Sequence, residues 1–371
     1  MISLFKKRKI EDEEKYFFAS QWTLMFKKLK KHKLAQISIV ILILLYTQMI
    51  FAQFVSPYGL ESFDSKVVNA PPTKIHMFDE DGIHLPFVYA YEQKRDPVTF
   101  RKYYAEDTSK RYPIKLFGKG ESYKFLGLFE TDRHLFIVDQ PARIFLFGTD
   151  KLGRDIFSRI ALGSQISLTI PLAGVFISFI LGITIGSISG YFGGLTDTII
   201  QRIIEVIRSF PTLPLWMALS AAIPARIPVI QMFLFITIIL SFISWTGLAR
   251  TVRSKFMSLK TEDYIMAAKV AGVSDFKIIL THMIPGFISY LVVNMTLSIP
   301  GMIIGETSMS FLGLGIRPPA TSWGVLLQEA QQIQNIALYP WKLVPLFYVI
   351  ITVLAFNFFG DGLRDAADPY K

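Results

Sequence analysis

Residues that commonly carry chemistry are sparse in this chain. Its five histidines, His32, His76, His84, His134 and His282, lack metal-ligand spacing, and there is no cysteine. A zinc finger, an iron–sulfur cluster, a disulfide scaffold and a thiol nucleophile are therefore excluded. The sequence holds no Gly-x-x-x-x-Gly-Lys-Ser/Thr phosphate loop, no glycine-rich dinucleotide loop opening a helix and no Gly-x-Ser-x-Gly elbow. The chain is accordingly expected to be no enzyme and to bind no cofactor or metal of its own. What remains are ionisable residues set among apolar ones. Glu306 stands near one end of an apolar run, where a carboxylate serves either a transport pathway or a hydrogen bond inside a helix bundle. Gly153-Arg154-Asp155 precedes another run, where Arg and Asp either pair locally at a helix entrance or serve an outer gate. Arg202, Glu205 and Arg208 recur at near-helical spacing at the head of a third run, a pattern for the membrane interface.

The elements that must position these groups are themselves apolar. Hydrophobic residues make up 51% of the 371 and charged residues only 18%, below the roughly 25% typical of soluble domains. Mean hydropathy is +0.41. Too little polar surface is available to keep such a chain in water. Leu34–Val55 carries no charge and is long enough to cross a hydrocarbon core of about 30 Å as a helix. It exceeds the apolar stretch of a secretory signal and follows a long basic segment, so an uncleaved first span is the favoured reading. Ile166–Tyr191, Thr198–Ile223, Val229–Leu248, Pro285–Leu312 and Trp341–Phe359 complete six expected spans.

Lysine and arginine set the expected orientation. Lys27, Lys28, Lys30, Lys31 and Lys33 crowd the start of the first span, and Arg250, Arg253, Lys255, Lys260, Lys269 and Lys277 fill the connection after the fourth. The connections 224–228 and 313–340 hold only Arg226 and Arg317. Both termini and the 250–284 connection are thus expected on the cytoplasmic side. Phe18, Trp22, Met25, Phe26 and Leu29 fall on one helical face, which predicts an amphipathic helix lying on membrane lipid rather than a nucleic-acid-binding arm. Residues 56–165 alternate and turn: Lys74–Phe78 and Ile83–Tyr91 flank Asp79-Glu80-Asp81-Gly82, while Tyr112–Phe117 and Ser122–Phe129 flank Gly118-Lys119-Gly120. These are hairpin signals for a small β-rich domain outside the membrane. The expected fold class is an all-α polytopic membrane protein of about six transmembrane helices, with that β-rich insertion between the first and second. The expected units are 1–33, 34–55, 56–146 and 147–371, the last with the cytoplasmic connection 250–284.

That connection reads Glu262-Asp263-Tyr264-Ile265-Met266-Ala267-Ala268-Lys269-Val270-Ala271-Gly272. Tyr264, Ala268 and Ala271 share a helical face whose small side chains would let another surface approach closely. Gly272 can end the helix without a Cβ penalty, and Pro285 can open the next span. From spacing alone the segment is either a docking element or an ordinary helical hairpin.

Ala267, Ala268, Gly272 and Ile284-Pro285 resemble the EAA loop of permeases of binding-protein-dependent ABC importers, with Met266 where the family has Glu and His282 where it has an apolar residue. Other segments resemble the oligopeptide/dipeptide branch, on the side of its C-type membrane subunit. They are Phe147-Gly148-Thr149-Asp150, Gly153-Arg154-Asp155, Ser158-Arg159 and Gly163, then Gly190-Tyr191-Phe192-Gly193-Gly194 with Asp197. Glu306 with Ser310–Gly315, Ser322-Trp323-Gly324, and Gly360-Asp361 through Asp368-Pro369 extend the likeness from about Trp22 to the tail. Gln165 departs from it, standing where Arg is common.

The resemblance implies a permease subunit in a prokaryotic plasma membrane, forming half of a pathway for oligopeptides or similar small solutes. It implies a homologous second permease, two cytoplasmic ATPases that hold the ATP and Mg, and an extracytoplasmic solute-binding protein. Glu262, Asp263, Tyr264, Met266, Ala267, Ala268 and Gly272 would couple to the ATPases, while Asp150, Arg154, Asp155 and Glu306 would serve the pathway or outer gate. The rival reading is an ion-coupled secondary transporter or channel, for which only Glu205 and Glu306 are available as intramembrane carboxylates.

Overall fold

The computed structural model describes residues 21–98, 100, 102–224 and 227–368; Phe18, Arg226 and Pro369 lie outside the described residues. A short helix α1 (Gln21–Leu29) precedes α2 (Lys33–Ile50) and the single-turn α3 (Ala52–Val55). After an interval of strands come α4 (Ile156–Phe192), α5 (Gly194–Ser209), α6 (Thr212–Ala221) and α7 (Val229–Leu259). They are followed by α8 (Asp263–Val270), α9 (Asp275–Ile278), α10 (Ile288–Phe311), α11 (Trp323–Ala330), α12 (Ile333–Leu338) and α13 (Val344–Ala367).

Among the described residues five helical runs are long and apolar enough to cross a membrane: Lys33–Ile50, Ile156–Phe192, Val229–Leu259, Asp275–Phe311 and Pro340–Ala367. The expected third span, Thr198–Ile223, is the exception. It breaks at Phe210-Pro211 into α5 and α6. Proline forces the residue before it out of the helical region, and Phe210 is extended at φ −84°, ψ 136°.

Other boundaries differ from expectation: α7 runs on to Leu259 and α13 to Ala367, and two helices start early. α4 begins at Ile156, ten residues before Ile166, because Asp155 caps its first turn by accepting from Ser158 N at 2.8 Å. The fifth span starts at Asp275 rather than at Pro285. Pro285 lacks an N–H and crowds the preceding turn, and the helix absorbs it by widening to π geometry over Ile279–Met283.

α4 and α7 form the central pair. Gly182, Gly186 and Gly190 recur every fourth residue on the α4 face that meets α7. A Cβ on Gly186 would lie 2.5 Å from Ala249 O, and one on Gly190 2.6 Å from Arg253 O. Small residues at this spacing let two membrane helices pack backbone to backbone. α13 packs against both α10 and α2. At one end of the bundle Met25 and Leu29 of α1 are buried with Ala35 and Ala366, while Trp22 and Phe26 remain 50% and 66% exposed. The apolar face expected to lie wholly on lipid is therefore divided, half of it covering the end of α13.

Between α3 and α4, β1 (His76–Asp79), β2 (Gly82–Arg95) and β3 (Lys102–Pro113) form an antiparallel sheet in that order. β4 (Lys115–Leu116) pairs with β7 (Phe136–Ile137), and β5 (Lys119–Phe125) with β6 (Phe129–Arg133). Lys119 and Gly120 lie in a strand. The reversal falls instead at Leu126-Gly127, where both residues have positive φ. Val88, Tyr112, Val138, Ala142 and Ile144 form the small core of this region.

Candidate functional site

α8 sits on a stem built from the ends of α4, α7 and the Asp275–Phe311 run. Ile265 and Ala268 point inward, buried with Tyr191, Val252, Phe256, Ile278, Ile279 and Met283. Ala268 is therefore not on the outward face expected of it. A helix lying on a stem must bury one stripe, and Ile265, three residues before Ala268, fixes which stripe that is. The opposite face carries Met266 at 51% exposure, the exposed Ala267, and Val270 at 88%, with Phe276 of α9 at 72%. Tyr264, Glu262 and Asp263 are exposed at its start, and Glu262 is the N-cap residue.

The exit from α8 is a Schellman turn. Gly272 has φ +76° and donates N–H to Lys269 O at 3.1 Å, while Val273 N donates to Ala268 O at 3.1 Å. A Cβ on Gly272 would meet nothing within 4 Å, so its requirement for glycine is one of backbone conformation alone.

Tyr191, at the end of α4, fastens this segment from three sides. Its hydroxyl donates to Asp275 Oδ1, its carbonyl accepts from Lys260 Nζ at 2.7 Å, and Lys269 Nζ lies 5.4 Å from its ring centre. One turn away, Arg253 of α7 grips Asp197 of α5 with two donors, and Ser189 Oγ donates to the same carboxylate. The Arg253 hydrogen bonds hold the Asp197 carboxyl below the usual aspartate range.

At the other end of the bundle, the buried Asp150 and Arg159 and the part-buried Arg154 and Glu329 form one ionic cluster. Asp150 Oδ2 accepts from Arg154 Nε and Arg159 Nη1, each at 2.7 Å. Arg159 makes a bidentate pair with Glu329, at 2.6 and 3.0 Å, and Arg154 Nη2 reaches Glu329 at 3.2 Å. Burial alone would raise the Glu329 carboxyl; the Arg159 hydrogen bonds and the charges of Arg159 and Arg154 outweigh it and hold the group below the ordinary glutamate value. Asp155 stands apart as the helix cap, and burial pushes its carboxyl up to about 6 against the Ser158 hydrogen bonds. Arg154 and Asp155 thus do not pair with each other. Glu329, which ties α11 to the head of α4, carries no local sequence signal, since its partners lie 170 and 175 residues away.

Glu306 is fully buried and accepts from Ser310 Oγ at 2.7 Å and Ser167 Oγ at 3.2 Å. Ser167 Oγ in turn accepts from Trp323 N at 2.9 Å. The carboxylate links α10, α4 and α11 from inside the bundle. Glu205 is exposed on α5 and pairs with Arg202 at 2.7 Å. Nearer the middle, a cleft of about 330 Å³ opens between α4, α6, α7 and α10, bordered by Ser178, Thr212, Trp216, Ser244 and Ser298. On α10, Tyr290, Asn294 and Ser298 recur every fourth residue; Asn294 and Ser298 each donate to the carbonyl four residues back. Among the described residues no cluster of three His, Asp or Glu could hold a metal ion.

Comparison with known proteins agrees with this arrangement. Residues 182–370, which hold α8, Gly272, Glu306 and Glu329, match the family described as binding-protein-dependent transport system inner membrane component. Residues 20–72 match the N-terminal TM domain of oligopeptide transport permease C. The oligopeptide transport system permease protein OppC of Haemophilus influenzae is 42% identical over 224 residues, 60% of this chain and 70% of that protein. The dipeptide transport system permease protein DppC of Lactococcus lactis subsp. cremoris is 38% identical over 68% of each chain. The glutathione transport system permease protein GsiD of Pectobacterium atrosepticum is 39% identical over 65% of this chain and 77% of that protein. A helical core with a short buttressed helix between two over-long spans, matched over half its length by one family, places the chain among the inner membrane components of binding-protein-dependent transport systems.

Proposed function

We propose that the chain is the C-type permease subunit of an ABC importer and forms half of a translocation pathway for oligopeptides or chemically similar small solutes. Its partners are a homologous second permease, two ATPases that bind ATP and Mg, and a solute-binding protein on the opposite face. Both termini and α8 lie in the cytoplasm of a prokaryotic cell, and the strands of residues 56–146 lie outside. α5 and α6 together complete the sixth crossing, the broken backbone facing the cleft rather than lipid.

What carries this reading is the outward face of α8. Met266 and Val270 are apolar side chains left uncovered on a helix whose other side is locked into the chain's own core, and Phe276 of α9 is exposed with them. A groove in one ATPase subunit is their partner, with methionine supplying an adaptable contact where the family has glutamate. Closing of the ATPase dimer moves α8, and the stem of α7 and the Asp275–Phe311 run carries the movement to the cleft. The ATPases must contact α8 differently in their two states, since equal affinity for both would shift nothing. The pathway wall is the polar stripe Tyr290, Asn294 and Ser298 together with Thr212 and Ser244. Asp150, Arg154, Asp155 and Glu306 hold the outer gate in place from behind instead of meeting solute.

Met266→Asp and Val270→Asp test the docking face. Each would bury an unpaired carboxylate at the proposed interface, worth several kcal/mol. In a reconstituted complex both variants are expected to co-purify with the second permease, while solute-stimulated ATP hydrolysis and uptake fall together by at least roughly tenfold. Normal stimulation in both, with the complex intact, would remove α8 from the coupling path.

A further inference from the structure

The β5–β6 hairpin ends in an uncharged apolar tip, Phe125-Leu126-Gly127-Leu128-Phe129, bounded by the cross-strand pair Lys124 and Glu130. Its base is fixed above α3. Leu135 N donates to Phe54 O at 2.8 Å, and the His134 ring lies between the carbonyls of Ser56 and Glu121. From there the strands run back along the chain. Phe117 stacks on Phe54 with ring centres 6.0 Å apart, and Phe125 meets Phe51 at 5.9 Å. Phe51 is the C-cap residue of α2. The direction from Ser56 to Phe51 leads toward α2, so the tip beyond Phe125 points along the chain toward the C-terminal end of that helix.

Leu126, Leu128 and Phe129 are 51%, 80% and 58% exposed. Phe51, which meets Phe125, is exposed too, and so are Ile50, Leu44, Ile43, Val40 and Ile37 on α2. The tip therefore extends an apolar strip that begins on a spanning helix. The turn itself is made with Leu126 at φ +49° and Gly127 at φ +73°, closed by Leu128 N donating to Phe125 O at 2.9 Å. Two central residues with positive φ normally favour Asn-Gly. A leucine at the first of them sits against local backbone preference and presents an apolar side chain where a polar one would fit more easily.

We propose that Leu126, Leu128 and Phe129 insert among lipid acyl chains beside α2, anchoring residues 56–146 to the outer leaflet. The occupant is lipid because the strip is continuous with the apolar surface of α2 and holds no charge between Lys124 and Glu130. Ile83, 78% exposed at the β1–β2 turn, lacks this continuity and follows Asp79, Glu80 and Asp81. The inference rests on α2 crossing the membrane as proposed above, and the test separates the two.

The full chain contains no cysteine, so single substitutions can be labelled without background. Leu128→Cys, Ile83→Cys and Ile43→Cys, each carrying a nitroxide in lipid nanodiscs, are compared by electron paramagnetic resonance power saturation. Oxygen and a water-soluble nickel chelate are the relaxing agents. The expected oxygen-to-nickel accessibility ratio at Leu128 is close to that at Ile43 and several-fold above that at Ile83. A Leu128 ratio equal to that of Ile83, with Ile43 in lipid, overturns the anchor and leaves the spanning helix standing. Nickel access at Ile43 overturns the spanning helix itself. Shielding of Leu128 from both agents only in the assembled transporter assigns the tip to a protein partner and also overturns the anchor.

Discussion

Tyr191 gathers a hydroxyl contact to Asp275, a carbonyl contact to Lys260 and a ring contact to Lys269, so one side chain fixes both approaches to α8. Tyr191→Phe keeps the ring and the carbonyl and loses the hydrogen bond to a carboxylate, worth about 1.5–3 kcal/mol. Solute-stimulated ATP hydrolysis is expected to drop in this variant while association with the second permease is unchanged; equal stimulation would show that the hydroxyl positions nothing. Asp197 supplies a pH dependence. Its folded-state carboxyl is depressed by Arg253, so its contribution to stability is present above the unfolded pKa and lost as pH falls through the folded one. Between about pH 5 and pH 3 the Tm of Asp197→Asn should therefore fall less steeply than that of the unaltered chain. Parallel curves would contradict the pairing. Gly272 was legible in the sequence because a Schellman turn is local chemistry, whereas the facing of Ala268 was not, because it depends on the stem. Gly272→Ala, placed at φ +76° with open space around it, should cost about 1 kcal/mol, measured as lost Tm and not as lost assembly.

At the scale of elements, hydropathy located most of the membrane helices and misplaced their ends. Apolar runs mark where lipid requires a helix; they are silent on how far it continues into water, as α7 does to Leu259. The third expected span failed for a different reason. Thr198–Ile223 has enough apolar residues to read as one helix, and Pro211 divides it through backbone geometry that a hydropathy average does not weigh. Gly182 and Gly186 lie in a run that hydropathy reads simply as apolar, yet with Gly190 they set the approach of α4 to α7. Gly186→Val would drive a side chain into Ala249 O and Val252 and should destabilise by about 1–3 kcal/mol or more, read from the thermal stability of the detergent-solubilised chain. An unchanged Tm would mean the two helices are not in close contact. On α10, cysteines at Asn294 and Ser298 should react with an aqueous thiol reagent in the assembled transporter, and one at Ile43 on α2 should not. Protection of both α10 positions throughout the transport cycle would take the stripe out of the pathway.

At the scale of the whole molecule the two ends do different work. The ion pairs of Asp150, Arg154, Arg159 and Glu329 and the hydrogen-bonded Glu306 stiffen one end, and removing Asp150 there takes a partner from the buried Arg159 at about 3–5 kcal/mol. The other end presents an apolar helix that its own chain leaves half uncovered. That contrast fits the proposal of a fixed outer frame and a cytoplasmic end handled by an ATPase. The family was legible from ordered motifs, but the frame was not, since Glu329 meets Arg159 only after α11 folds back on α4. The central claim is that α8 is the contact with the ATPases, and Val270 is its most exposed apolar side chain. The direct measurement is site-specific cross-linking from Val270→Cys, the sole cysteine of this chain, in the assembled transporter with and without ATP and Mg. The account predicts an adduct with an ATPase subunit whose yield changes with nucleotide. An intact complex in which Val270→Cys cross-links only to lipid, or to the second permease, would contradict it.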